Sequence, residues 1–96
     1  MAVNIEKGML MVGWAIWTMT AAWTGEMVAR LKEMGCMTED VADLMRRDLV
    51  HGIVLATEAV KNNDVNKMEM ARDIVISVMD NTVKAFDSCG KGGGKT

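Results

Sequence analysis

Between Lys7 and Glu26 the chain carries no charge: residues 8–25 read GMLMVGWAIWTMTAAWTG and contain all three tryptophans. Beyond them the pattern changes to apolar and charged positions that recur at helical spacing, in two further stretches. Val41, Met45, Leu49, Gly52, Ile53, Ala56 and Val60, flanked by Leu44 and Leu55, form one stripe. Met68, Ala71, Val75, Val78, Met79, Thr82 and Phe86 form the next, opposite Glu69, Asp73, Asp80, Lys84 and Asp87. The pattern predicts helices over about residues 5–34, 38–61 and 65–88. The punctuation agrees. Asn4 can cap the first helix, Gly35 can close it in the left-handed conformation, Thr38 and Asp64 can cap the second and third, and Asn62-Asn63-Asp64 reads as a turn. Residues 1–3 read as a frayed end, and residues 90–96, GKGGGKT, as a flexible tail.

A first helix of thirty residues would be about 45 Å long, with Thr24-Gly25 as the place for a kink. It would be apolar all round, and such a helix must be enclosed by lipid or by other helices. One of its stripes is small (Gly8, Met11, Ala15, Thr18, Ala22, Gly25, Ala29) and another bulky (Met9, Val12, Ile16, Met19, Trp23, Met27). Eighteen uncharged residues reach the length of a membrane span. However, Trp14, Trp17 and Trp23 sit within the run and not at its two ends, where an interfacial belt would put them. The favoured expectation is a soluble oligomer core; a single membrane span over residues 8–25 is the alternative. Past Gly25, Glu26, Arg30 and Glu33 bring one side of the helix into water.

Composition narrows the class. Half of the 96 residues are apolar and Pro and Tyr are both absent, which suits helices and disfavours a turn-rich β sandwich. Length allows one domain, residues 1–89. The expected fold is therefore all-α: a three-helix up-down-up bundle with a long apolar first helix, assembled into a homo-oligomeric helical bundle. A net charge of −2 with interspersed signs gives no electrostatic footprint for nucleic acid. Glu6 beside Lys7 and the lack of an A-x-A site argue against a signal peptide, so the expected location is cytoplasmic. Two cysteines make no disulfide framework. Cys36 and Cys89 fall at one end of such a bundle, but a cytoplasmic chain would keep them as thiols.

Candidate chemistry is sparse. The terminal GKT suggests a phosphate loop, but position 89, where the first glycine of that motif belongs, is Cys89, and no helix follows. Asp48 falls inside the apolar stripe of the second helix with His51 one turn on, which predicts a structural polar contact that fixes helix register. Doubled by a dimer and joined by Glu58 or Glu26, Asp48-x-x-His51 would imitate the carboxylate and histidine pattern of bundle di-metal proteins, yet Asp replaces Glu and Glu58 lies on another face. His51 beside Gly52 could also suggest phosphotransfer, but a lone histidine near an apolar edge is more often packed or half-wet. One histidine cannot serve a catalytic triad either. No enzyme, metal or cofactor is implied.

What remains is contact. Val50 and Val54 stand on the polar side of the second helix beside Arg46 and Arg47, where a solvated face would be polar; these four residues are the expected partner-binding surface. The expected function is that of a non-enzymatic binding or regulatory protein acting by stoichiometric contact as a homo-oligomer, on a protein partner. A second expectation is a sequestering protein for a small anionic, nucleotide-like ligand, with Trp14, Trp17 and Trp23 stacking on it and Arg46 and Arg47 holding its phosphates at a subunit seam.

Overall fold

The computed structural model describes residues 5–92, with side chains over residues 6–90. It is all-α, with no strand among the described residues: α1 (Ile5–Glu33), α2 (Glu39–Asn62) and α3 (Val65–Gly92). The Asn4 cap, residues 1–3 and the last four residues of the tail lie outside the described residues. The start of that tail is not a loop, because α3 continues through Gly90 to Gly92. Cys89, tied to another part of the chain, anchors the turn that Gly90 prolongs.

The helix ends follow local chemistry. Gly35 has φ +78°, and the N–H groups of Cys36 and Gly35 donate to the carbonyls of Leu31 and Lys32, satisfying two otherwise orphaned acceptors at the end of α1. Thr38 Oγ1 accepts from Val41 N at 3.2 Å and caps α2. Asn63, at φ 55°, closes α2 with its N–H on the Ala59 carbonyl. Asp64 Oδ1 then accepts from Lys67 N at 3.1 Å at the head of α3. At Thr24-Gly25 α1 is unbroken.

All three helices pack on one another around two adjoining clusters. The first joins Leu10 to Leu55, Ala56, Ala59, Met68 and Ala71; the second joins Ala21 to Leu49, Val75 and Val78. Trp17 lies against both. Val28 and Leu31 are fully buried as well. The buried face of α2 keeps Leu49, Gly52, Leu55 and Ala56 of the expected stripe, with Met45, Ile53 and Val60 packed against it, and adds Ala42 and Ala59. Val41 and Leu44 are exposed instead. Asp48, expected within the apolar stripe, is exposed too, and so is His51. Ranking positions by hydrophobicity favours the largest side chains, whereas the two residues it leaves out, Ala42 and Ala59, are small and fully buried where the helix backbones approach closely.

Gly52 marks the closest approach of α2 to α3. A Cβ there would stand 2.9 Å from Val75 Cγ2 and 3.6 Å from the Ala71 carbonyl oxygen. The glycine thus makes room for α3 and not for an outside partner. By contrast, a Cβ on Gly25 would meet only Leu49 Cδ1, at an ordinary 3.7 Å.

Hydroxyls within apolar surroundings are satisfied locally. Thr18, Thr20 and Thr82 donate to the carbonyls of Trp14, Ile16 and Val78 at 2.6–2.7 Å. Thr24 is the exception: fully buried, its Oγ1 has no hydrogen-bond partner among the described residues.

The cysteines correct the expectation of free thiols. Cys36, in the α1–α2 connection, is bonded to Cys89, with Cα atoms 5.7 Å apart and a sequence separation of 53. Bridges of this kind persist in oxidising compartments.

Four stability measurements follow from these contacts. Cys36→Ser, compared with the oxidised chain by urea denaturation, should lose up to about 4 kcal/mol, the chain-entropy value for a loop of this length. Gly52→Ala should lower stability by up to about 2 kcal/mol, since crowding of the stiff Val75 side chain costs roughly 1–3 kcal/mol against a helix-propensity gain of about 1 kcal/mol. Gly25→Ala, free of crowding, should raise the melting temperature. Thr24→Val, which removes the orphaned hydroxyl at nearly constant shape, should stabilise by about 1 kcal/mol in the same denaturation assay.

Candidate interaction site

The three-helix core covers only one side of α1. Its covered side runs Leu10, Trp17, Ala21, Thr24, Val28 and Leu31. Neither stripe singled out in the sequence is that covered side. In the bulky stripe Met9, Val12, Ile16, Met19 and Trp23 are all exposed, with Met19 at 71%. Of the small stripe, Gly8 and Ala22 are exposed and Ala15 is half-buried.

Together these stripes form one surface. Gly8, Val12, Ala15, Met19 and Ala22 follow one another at alternating steps of four and three, the spacing at which helices keep a common seam facing a partner helix. Small residues at every seventh position (Gly8, Ala15, Ala22) alternate with larger ones (Val12, Met19), and Ile16 and Trp23 flank the line on one side. Met11 flanks it on the other. The next seam position is Glu26, which is exposed, as are Arg30 and Glu33. The apolar seam therefore stops within one turn of where the charges begin, and runs about 21 Å from Gly8 to Ala22 at helical rise.

Its area is large for an unpaired face. Taking about 200 Å² for a large side chain, the exposed fractions of Met9, Met11, Val12, Ile16, Met19 and Trp23 come to roughly 700 Å². Contiguous apolar patches beyond a few hundred Å² mark interaction surfaces.

The residues expected to bind a partner adjoin this surface. Trp14 Nε1 donates to Thr57 Oγ1 at 3.0 Å, so that side of α2 lies beside α1. Val54 and Val50 precede Thr57 by three and seven residues, on the same side of the helix, and are 45% and 58% exposed. Arg46, Arg47, Val50 and Asp43 outline a shallow depression. Arg46 Nη2 reaches Asp43 Oδ1 at 3.4 Å, while its Nε is buried without a partner.

Within one chain the tryptophans and arginines do not converge. Trp14 is occupied by Thr57, and Arg46 precedes Thr57 by eleven residues, about 16 Å along α2. Trp17 is packed into the core. Trp23, nine residues after Trp14, projects from the opposite side of α1.

Asp48 and His51 make no hydrogen bond or ion pair among the described residues, so the register-fixing contact expected of them is not formed in the chain. No group of three or more His, Cys, Asp or Glu side chains stands close enough to hold a metal ion among the described residues. Nor, among them, is any helix long and apolar enough to cross a membrane.

No protein-family model, curated protein or solved structure matches the chain. Its function has to be argued from its own surface.

Proposed function

We propose that the chain is a non-enzymatic binding or regulatory protein, an up-down-up bundle that acts by stoichiometric contact as a homodimer joined along the outward face of α1. The single observation that carries this reading is the exposed seam from Gly8 to Ala22. A second copy is the occupant that fits it. The seam pairs small positions with large ones at a fixed period, so the same surface supplies both the protrusions and the recesses that a twofold contact needs. Roughly 700 Å² per chain also approaches the ~800 Å² per partner of a standard interface.

Charge selects the orientation. In a parallel pair Glu26 would meet its own copy across the seam, like charge against like. An antiparallel pair centred on Ala15 sets Gly8 level with Ala22 and brings Glu26 to the N-terminal end of the partner helix, whose dipole favours a carboxylate. Val50 and Val54 widen the contact onto α2, and Arg46 and Arg47 border it. Lack of charge along α1 is thus the mark of a protein interface, and the membrane-span alternative loses its support because no described helix is long and apolar enough.

Size exclusion coupled to light scattering tests the proposal. The chain should elute at twice its 10.5 kDa mass. Met19→Glu, at an exposed position, should leave helicity unchanged yet reduce the mass to that of one chain. A wild-type chain that stays monomeric at tens of micromolar, or a Met19→Glu variant that stays dimeric, overturns the assignment. Binding of the wild-type monomer to neutral lipid vesicles would instead give the face to a membrane surface.

A further inference from the structure

A second feature of the bundle lies on the other flank of α1, where α1 and α3 do not close completely. Between them opens a groove of about 390 Å³, within the size range of small-molecule sites, roughly 300–1,000 Å³. Its walls are apolar: Leu10, Trp17 and Met68 form the inner part, and Met9 and Val65 the mouth. Gly13 contributes to its shape, since Met68 Cγ and Sδ lie only 3.3 Å from where a Cβ of residue 13 would be. With any other residue at position 13, Met68 would be displaced. Two flexible methionines in the walls let the groove adapt to an occupant.

Charge is confined to the rim, at Glu6, Glu69 and Arg72, and it is unequal. Arg72 is matched by Asp73, whose Oδ1 lies 3.1 Å from both its Nε and its Nη2. Glu6 accepts only from the neutral amide of Asn63, at 3.3 Å, among its described contacts. Glu69 has no cationic partner among the described residues. The nearby lysines point elsewhere: Lys7 Nζ donates to the Val60 carbonyl, and Lys67 pairs with Glu58 at 3.0 Å. A ligand entering the groove thus meets apolar walls, an indole at the inner end, and two carboxylates at the entrance that are paired with no cation among the described residues.

We infer that this groove binds a small amphipathic cation: a compact aromatic or aliphatic body seated against Leu10, Trp17 and Met68, with one ammonium group held between Glu6 and Glu69. The apolar body supplies affinity through burial. The carboxylates supply selection by sign of charge, and an anion of the same shape is repelled by both. The site differs in place and in charge from the arginine-bordered surface of α2, and it does not depend on self-association.

The test uses three probes with one ring system: 1-naphthylmethylamine, neutral 1-methylnaphthalene and 1-naphthoate, each titrated into the full chain and followed by amide NMR shifts. The amine should bind saturably, at least about tenfold more tightly than the naphthoate, with the largest shifts at Leu10, Trp17, Met68 and Glu69. Glu6→Gln with Glu69→Gln should bring amine and naphthoate to within about twofold of each other. Both changes are at exposed rim positions, so light scattering should report an unchanged mass. Val65→Trp, which fills the mouth from an exposed position, should weaken all three probes alike. Naphthoate binding as tightly as the amine overturns the inference. So does the lack of saturable amine binding, or amine binding that Val65→Trp leaves untouched, which would place the probe on the α1 seam.

Discussion

The structure depends on one constraint: α1 has no charged residue between Lys7 and Glu26, so every side of about five turns has to be kept from water by something. Two neighbouring helices can cover about half of a helix circumference. The half that α2 and α3 do cover is assembled from residues of mixed size, Leu10, Trp17, Ala21 and Thr24, while the half-buried Thr18 and Thr20 beside it bond to α1's own carbonyls. The remainder stays apolar and uncovered, and the burial that stabilises the bundle is therefore incomplete in a single chain.

How the covered half is formed explains the rest of the packing. Alanine and glycine line α2 where it meets its neighbours, and Gly52 brings α2 against Val75 with no room for one more carbon. Tight contact on the α2 side of α3 leaves α3 less closely applied to α1, and the gap between α1 and α3 opens near Met68. Close packing at one seam and an open groove at another are two results of placing three helices of unequal residue size around one small core.

Much of this was legible in the sequence. Helix number, class and ends follow from periodicity and from Gly35, Thr38, Asn63 and Asp64, each of which does what its side chain or backbone freedom suggests. The exposure of Val41, Leu44 and Asp48 was not legible, because they lie in or beside the stripe on a helical wheel, and only the neighbouring helices decide which positions are covered. The α1 seam was present in the sequence as a four-three spacing, but sorting its residues by size split it into two stripes. The groove had no sequence signal at all. Glu6, Trp17, Met68 and Glu69 meet only when α1 and α3 are laid side by side. The pairing of Cys36 with Cys89 was geometrically open from the sequence, and an assumption about compartment decided against it.

The bridge has a topological consequence. Cys36 and Cys89 close α2 and α3 into one covalent ring, while α1 precedes the ring and hangs from it by the short connection after Glu33. Of the three helices, α1 alone can leave its place without any bond being broken or any chain being threaded. It is also the helix that keeps an apolar face on both its inner and outer sides. An α1 that lifts away uncovers its inner residues, Leu10, Ala21, Thr24 and Val28, while α2 and α3 stay tied to each other.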